Sequence, residues 1–114
     1  MDWKKLITET EANLASFSKE VPQTVKGFGQ MGQAAKTNGA LSEKTKEFVA
    51  LGIAVSTRCD SCIAFHARSL VRLGATREEV CEALSMATFM GGGPSYAYSA
   101  KALDAYDFFT AQAK

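Results

Sequence analysis

Proline occurs at only two of the 114 positions, Pro22 and Pro94, and each stands where a helix can begin. Its fixed φ suits the first turn of a helix and stops any helix that runs into it. No alternating apolar run bounded by hairpin turns appears anywhere, so strands are not expected. The punctuation predicts an all-α chain of six helices.

The first helix is expected from about Asp2 to Lys19. The second runs from Pro22 to about Lys36 and is weakened by Gly27, Gly29 and Gly32. After TNGALS, Ser42 can cap a third helix through about Thr57, its apolar stripe set by Phe48, Leu51, Gly52 and Val55. Asp60 or Ser61 can cap the fourth, and Gly74 supplies the left-handed position at its end. Thr76 with Glu79 forms a capping box for a fifth helix, to about Met90. GGGP resets the chain, and a sixth helix follows from about Pro94 to Ala111. Tyr98, Leu103, Tyr106, Phe108 and Phe109 cover much of its circumference, which predicts burial against another subunit. The expectation is one structural domain, with an N-terminal helix over 1–20 and a helical domain over 21–114, assembled as a homo-oligomer.

A formal charge of +1 with interspersed signs provides no basic stripe for nucleic acid and no attraction to an anionic membrane. The N-terminus lacks the apolar core of a secretion signal, and no window approaches the ~20 apolar residues of a membrane span. The expected location is the cytoplasm. Thiols are kept largely reduced there, so a close cysteine pair points to catalysis, redox sensing or metal binding rather than to a structural staple.

That pair lies in STRCDSCIAFHARSL, residues 56–70. With a helix starting near Ser61, Cys62 and the chain's only histidine, His66, are stacked at i and i+4. Cys59 precedes the first turn, where the chain can fold it over Cys62 and close a disulfide. The helix N-terminus favours thiolate, and His66 adds a base beside Cys62. Cys62 is thus the better-activated nucleophile, and Cys59 is placed to attack an adduct formed on it. Glu47 shares a stripe with Leu51, Ala54 and Arg58 on the third helix, so its carboxylate tilts toward an apolar surface. A hairpin of helices three and four can bring it near the cysteines as a relay acid. Cys81, beside Val80 and Leu84, reads as a buried inert thiol. GGGP reads as a turn, with close backbone approach to the reactive site as the functional alternative.

Glu47, eleven residues, Cys59-x-x-Cys62-x-x-x-His66, then LGATREEVCEAL and MGGGP, together resemble the AhpD-like alkylhydroperoxidases of the carboxymuconolactone decarboxylase family. The likeness runs from about Val21 to Phe109. It implies an all-helical trimer or hexamer that reduces hydroperoxides without a bound cofactor or metal. Cys62 would react with peroxide, Cys59 would resolve the product, and Glu47 with His66 would relay protons. The implied reductant is a dihydrolipoyl-bearing or other dithiol protein. One position departs: the best-known branch has a histidine directly before its second cysteine, and here that residue is Ser61, which implies a smaller relay capacity. Two other readings compete. Cys59, Cys62, His66 and Glu47 could serve as zinc ligands of a non-enzymatic module. The family's decarboxylase or lactone-handling branch is the other, although that branch does not rely on a cysteine pair.

Overall fold

A computed structural model describes residues 1–114. Six helices follow one another: α1 (Trp3–Glu20), α2 (Pro22–Lys36), α3 (Glu43–Ser56), α4 (Asp60–Arg72), α5 (Arg77–Gly91) and α6 (Gly93–Gln112). Local chemistry explains most of their ends. The Asp2 carboxylate accepts the Lys5 N–H, and the Ser42 hydroxyl accepts the Thr45 N–H. Thr76 and Glu79 form the full capping box expected for α5. Gly74, at φ 77°, takes the left-handed conformation just past the end of α4.

The α3–α4 junction differs from expectation. Arg58, at φ 55°, is the chain's one non-glycine residue in the left-handed region. It reverses the backbone so sharply that the Cys59 N–H already donates back to the Ala54 carbonyl, at 3.0 Å. The cap of α4 is therefore Cys59 itself rather than Asp60 or Ser61. Its backbone is extended, and its sulfur accepts the Cys62 N–H at 3.2 Å.

The core gathers one face from each of α3, α4 and α5 around α6, closed at one end by Trp3 and Ile7 of α1. Trp3 is fully enclosed, and its indole N–H donates to Asp104 of α6 at 2.8 Å. The Tyr106 hydroxyl donates to the Ala75 carbonyl at 2.6 Å and pins the α4–α5 turn to α6. Helix α6 is the hub of the domain, and much of the apolar surface expected to face another subunit is covered within the chain. Ala102, Ala105, Tyr106 and Phe109 are buried within the chain, and Tyr98, Leu103 and Phe108 pack against the same core. A helix surrounded by three neighbours needs apolar residues on several sides whether or not the chain oligomerises.

Besides Tyr96 at the start of α6, exposed apolar side chains lie elsewhere: Leu14 and Phe17 at the far end of α1, Phe28 and Met31 on α2, Val49 and Ile53 on α3, and Met86, Phe89 and Met90 on α5. Helix α2 buries none of its residues in this chain. Gly91 to Gly93 form the α5–α6 corner. A side chain on Gly91 would overlap buried Ser95, and Gly92 at φ 72° both ends α5 and begins α6. Cys81 is half-buried rather than buried, and it lines a cleft of about 310 Å³ between α5 and α6 together with Ser85 and Tyr96.

Candidate active site

Helices α3 and α4 run back as a tight hairpin, and the site lies between them. On α3 the residues at helical spacing along the inner stripe, Glu47, Leu51 and Ala54, are all buried. Glu47 begins that stripe and keeps only 1% of its surface exposed, a deeper placement than the half-buried position its pattern suggests. On α4, Ile63, Ala67 and Leu70 anchor the helix in the core. This rotation leaves Cys62 and His66 at the border between core and solvent, both half-buried.

A carboxylate out of water must be paired or hydrogen-bonded. Glu47 Oε2 meets His66 Nδ1 at 2.6 Å, across nineteen residues of sequence. When Glu47 is ionised its carboxylate can only accept, and Nδ1–H is then the donor. In a neutral ring of that tautomer the other nitrogen, Nε2, is the unprotonated one.

Cys59 and Cys62 are joined by a disulfide, with their Cα atoms 5.2 Å apart. Both are half-buried, so exposure does not separate the two sulfurs. Their surroundings do. Cys62 and His66 together line a cleft of about 230 Å³ whose other walls are Ala50, Ile53, Ala54 and Thr57, and Cys59 is not part of that lining. Cys59 instead faces the first turn of α4, where it takes the Cys62 N–H and lies 3.6 Å from the Ser61 hydroxyl. Gly91 to Gly93 are not part of this cleft.

The four residues singled out in the sequence are thus linked in pairs, Glu47 to His66 and Cys59 to Cys62, and one member of each pair lines the cleft. Four neighbours were not anticipated. Lys36, at the end of α2, brings its Nζ to 3.9 Å from Glu47 Oε1. Lys101, on α6, donates to Asp60 at 3.1 Å and offsets the acidic residue between the cysteines. Ile53 and Ala50 give the cleft its apolar wall. No periodicity links Lys36 or Lys101 to the cysteines, since both arrive from helices that pack there only in the folded chain. No group of three or more His, Cys, Asp or Glu side chains, these four included, converges as a metal site would require.

Comparison with known proteins places this geometry in context. The family model of the carboxymuconolactone decarboxylase family matches residues 22–105. An uncharacterized protein of Cupriavidus necator is 34% identical over 110 residues, covering 96% of this chain and 97% of its own. One from Haemophilus influenzae is 38% identical over 105 residues, covering 92% and 93%. Among solved structures, the apo form of a carboxymuconolactone decarboxylase family protein of Legionella pneumophila superposes with a TM-score of 0.92 at 46% identity, over 95% of this chain and 96% of that one. A Thermotoga maritima family member, considered for a part in an antioxidative response, superposes with a TM-score of 0.82 at 28% identity over 93% and 91%.

Proposed function

The chain belongs to the carboxymuconolactone decarboxylase family, and from that premise we propose that it is a thiol-dependent peroxidase and disulfide oxidoreductase that reduces organic hydroperoxides. The observation that carries the reading is the Cys59–Cys62 disulfide at the start of α4, opening onto a cleft shared with a histidine that a buried glutamate holds. A structural staple has no need of an oriented base. A bond that must open and close does.

The cycle starts from the reduced pair. His66 takes the Cys62 proton at Nε2 while Glu47 steadies the charge that develops on the ring. The Cys62 thiolate attacks the terminal oxygen of the hydroperoxide; an S–O bond forms and the O–O bond breaks. The alkoxide leaves as an alcohol with the proton that His66 holds, and Cys62 becomes a sulfenic acid. The Cys59 thiol then attacks the Cys62 sulfur, the disulfide closes, and the hydroxyl leaves as water with the Cys59 proton. A dithiol returns two electrons and two protons to reopen the bond. Ala50, Ile53 and Ala54 suit a substrate with an apolar organic part.

A dihydrolipoyl-bearing or other dithiol protein is the proposed reductant, and the reducing cytoplasm is the compartment in which such a cycle turns over. No helix is long and apolar enough to cross a membrane. A homo-oligomer, trimer or hexamer, accounts for the uncovered apolar residues of α2, α3 and α5. The zinc reading would require both sulfurs to leave their mutual bond and His66 or Glu47 to leave the other. The decarboxylase reading leaves the cysteine pair without a task.

The test is turnover of cumene or t-butyl hydroperoxide with dithiothreitol and, separately, dihydrolipoamide as reductant. Turnover with at least one of them is expected, with one disulfide formed per peroxide reduced. No turnover with either, and no oxidation of the pair by a stoichiometric amount of peroxide, would remove the peroxidase reading.

A further inference from the structure

Lys36 has no part in the cycle just described, and yet it is the one lysine or arginine within ion-pair distance of Glu47. The other charged groups around that carboxylate are committed elsewhere. On α3 itself, Lys44 pairs with Glu79, Glu43 pairs with Arg72 of α4, and Lys46 donates to the Thr37 carbonyl at 2.6 Å. From α6, Lys101 pairs with Asp60. Lys36 is also delivered deliberately. Helix α2 buries nothing, but the turn after it is fastened by two polar bonds, from Lys46 to Thr37 and from the Glu43 N–H to the Asn38 side chain at 2.7 Å. The fastened end of an otherwise uncovered helix is the end that carries Lys36.

We propose that Lys36 is a positioning residue which keeps Glu47 ionised and so fixes the His66 proton on Nδ1, leaving Nε2 free to act as the base. The inference deepens the redox reading and rests on it for its consequence, though not for its test. The Glu47–His66 pair has two competing states. In one, a carboxylate accepts from Nδ1–H and Nε2 is bare. In the other, the pair has taken up one proton from solvent: Glu47 is a neutral carboxyl that donates to Nδ1, and the ring proton sits on Nε2. The second state avoids a charge out of water, which burial favours. It also disables the site, because the free ring nitrogen is then a donor rather than a base. A cation 3.9 Å from the second carboxylate oxygen biases the pair toward the first state. Lys36 is half-exposed, so solvent weakens the bias without removing it.

His66 is the only histidine, so its ring nitrogens give the only imidazole signals in a protein labelled with ¹⁵N-histidine. With the cysteines reduced at neutral pH, the native protein should show a protonated Nδ1, its proton shifted downfield by the 2.6 Å bond, and an unprotonated Nε2. Lys36→Met should lose this pattern and move the proton toward Nε2, and Lys36→Arg should restore it. In parallel, alkylation of the Cys62 peptide by iodoacetamide, read by mass spectrometry to separate it from Cys59 and Cys81, should slow about tenfold in Lys36→Met and recover to within about twofold in Lys36→Arg. A Lys36→Met protein with the native ¹⁵N pattern and native alkylation overturns the proposal. So does a change that arginine fails to rescue, since charge would then not be its cause. The tautomer is read without any substrate, so failure of the peroxidase reading leaves this result intact and separately interpretable.

Discussion

His66→Ala would leave the Glu47 carboxylate, 1% exposed, facing the space an imidazole had filled, with the Lys36 cation at 3.9 Å. Leaving a buried charge without its hydrogen-bond donor costs about 3 kcal/mol or more, and the nearby Lys36 cation puts the expected loss at about 3 kcal/mol. Glu47→Gln is milder. Its amide oxygen can still accept from Nδ1–H, so a charge-assisted bond becomes a neutral one at a cost of about 1 kcal/mol. The double variant contains no buried charge to strand, and its loss should be about 2 kcal/mol rather than the sum of about 4, a coupling of about 2 kcal/mol. Turnover should follow the same logic. His66→Ala should lose about 10² to 10⁴-fold, as expected for a positioned acid-base group, Glu47→Gln about tenfold, and the double variant little more than His66→Ala alone. Urea unfolding of the reduced proteins at matched concentration gives the first cycle, and steady-state peroxide reduction gives the second. Additive stabilities together with fully multiplicative rates would refute the reasoning. The two residues would then not act as a unit, and the α4 N-terminus alone would activate the thiol.

The cysteines should separate cleanly: Cys62→Ser abolishes peroxide reduction, Cys59→Ser consumes one equivalent of peroxide and stops at a sulfenic acid on Cys62, and Cys81→Ser leaves turnover nearly intact. Mass spectrometry of trapped adducts checks this, and an adduct found in Cys62→Ser but not in Cys59→Ser would reverse the assignment. Arg58→Gly should hold or raise stability, by up to about 1 kcal/mol, because glycine takes the left-handed φ of 55° without a Cβ clash; a marked fall in the urea midpoint would show that the Arg58 side chain matters more than its backbone. Arg77 hydrogen-bonds Asp107 and holds its carboxyl below the usual carboxylate range. A depressed folded-state value means stability that is present above the ordinary value and lost as pH falls through the folded one, so Asp107→Asn should flatten the acid limb of the melting curve below about pH 4 at low salt, and identical limbs would contradict the pairing. Light scattering should report a trimer or hexamer, and a stable monomer at micromolar concentration would leave the apolar residues of α2 unexplained.

Helix boundaries were legible because they are decided within a turn. A serine three residues before the N–H it caps, a Thr76–Glu79 box, a proline at a first turn and a glycine past a last one act over distances that the local chain itself sets. The Cys62–His66 stacking was legible for the same reason, since both stand on one helix a turn apart, and so was the inward tilt of Glu47 from its place in the Leu51 and Ala54 stripe. The Cys59 cap was missed by one residue because it depends on the left-handed Arg58, a conformation that arginine disfavours and that the α3–α4 hairpin imposes.

What folding alone decided is which neighbours each helix meets. The sequence shows that α6 is apolar on several sides, but periodicity is the same whether the covering helices belong to its own chain or to another; here they are α3, α4 and α5 of the same chain. The pattern that made Cys81 look buried likewise carries no record of the cleft between α5 and α6. Lys36 lies eleven residues before Glu47, a separation that no helical or turn rule relates. Its Nζ reaches the buried carboxylate because polar bonds across the α2–α3 turn hold the end of α2 there, and the charge on that lysine matters only because packing has already taken the carboxylate out of water.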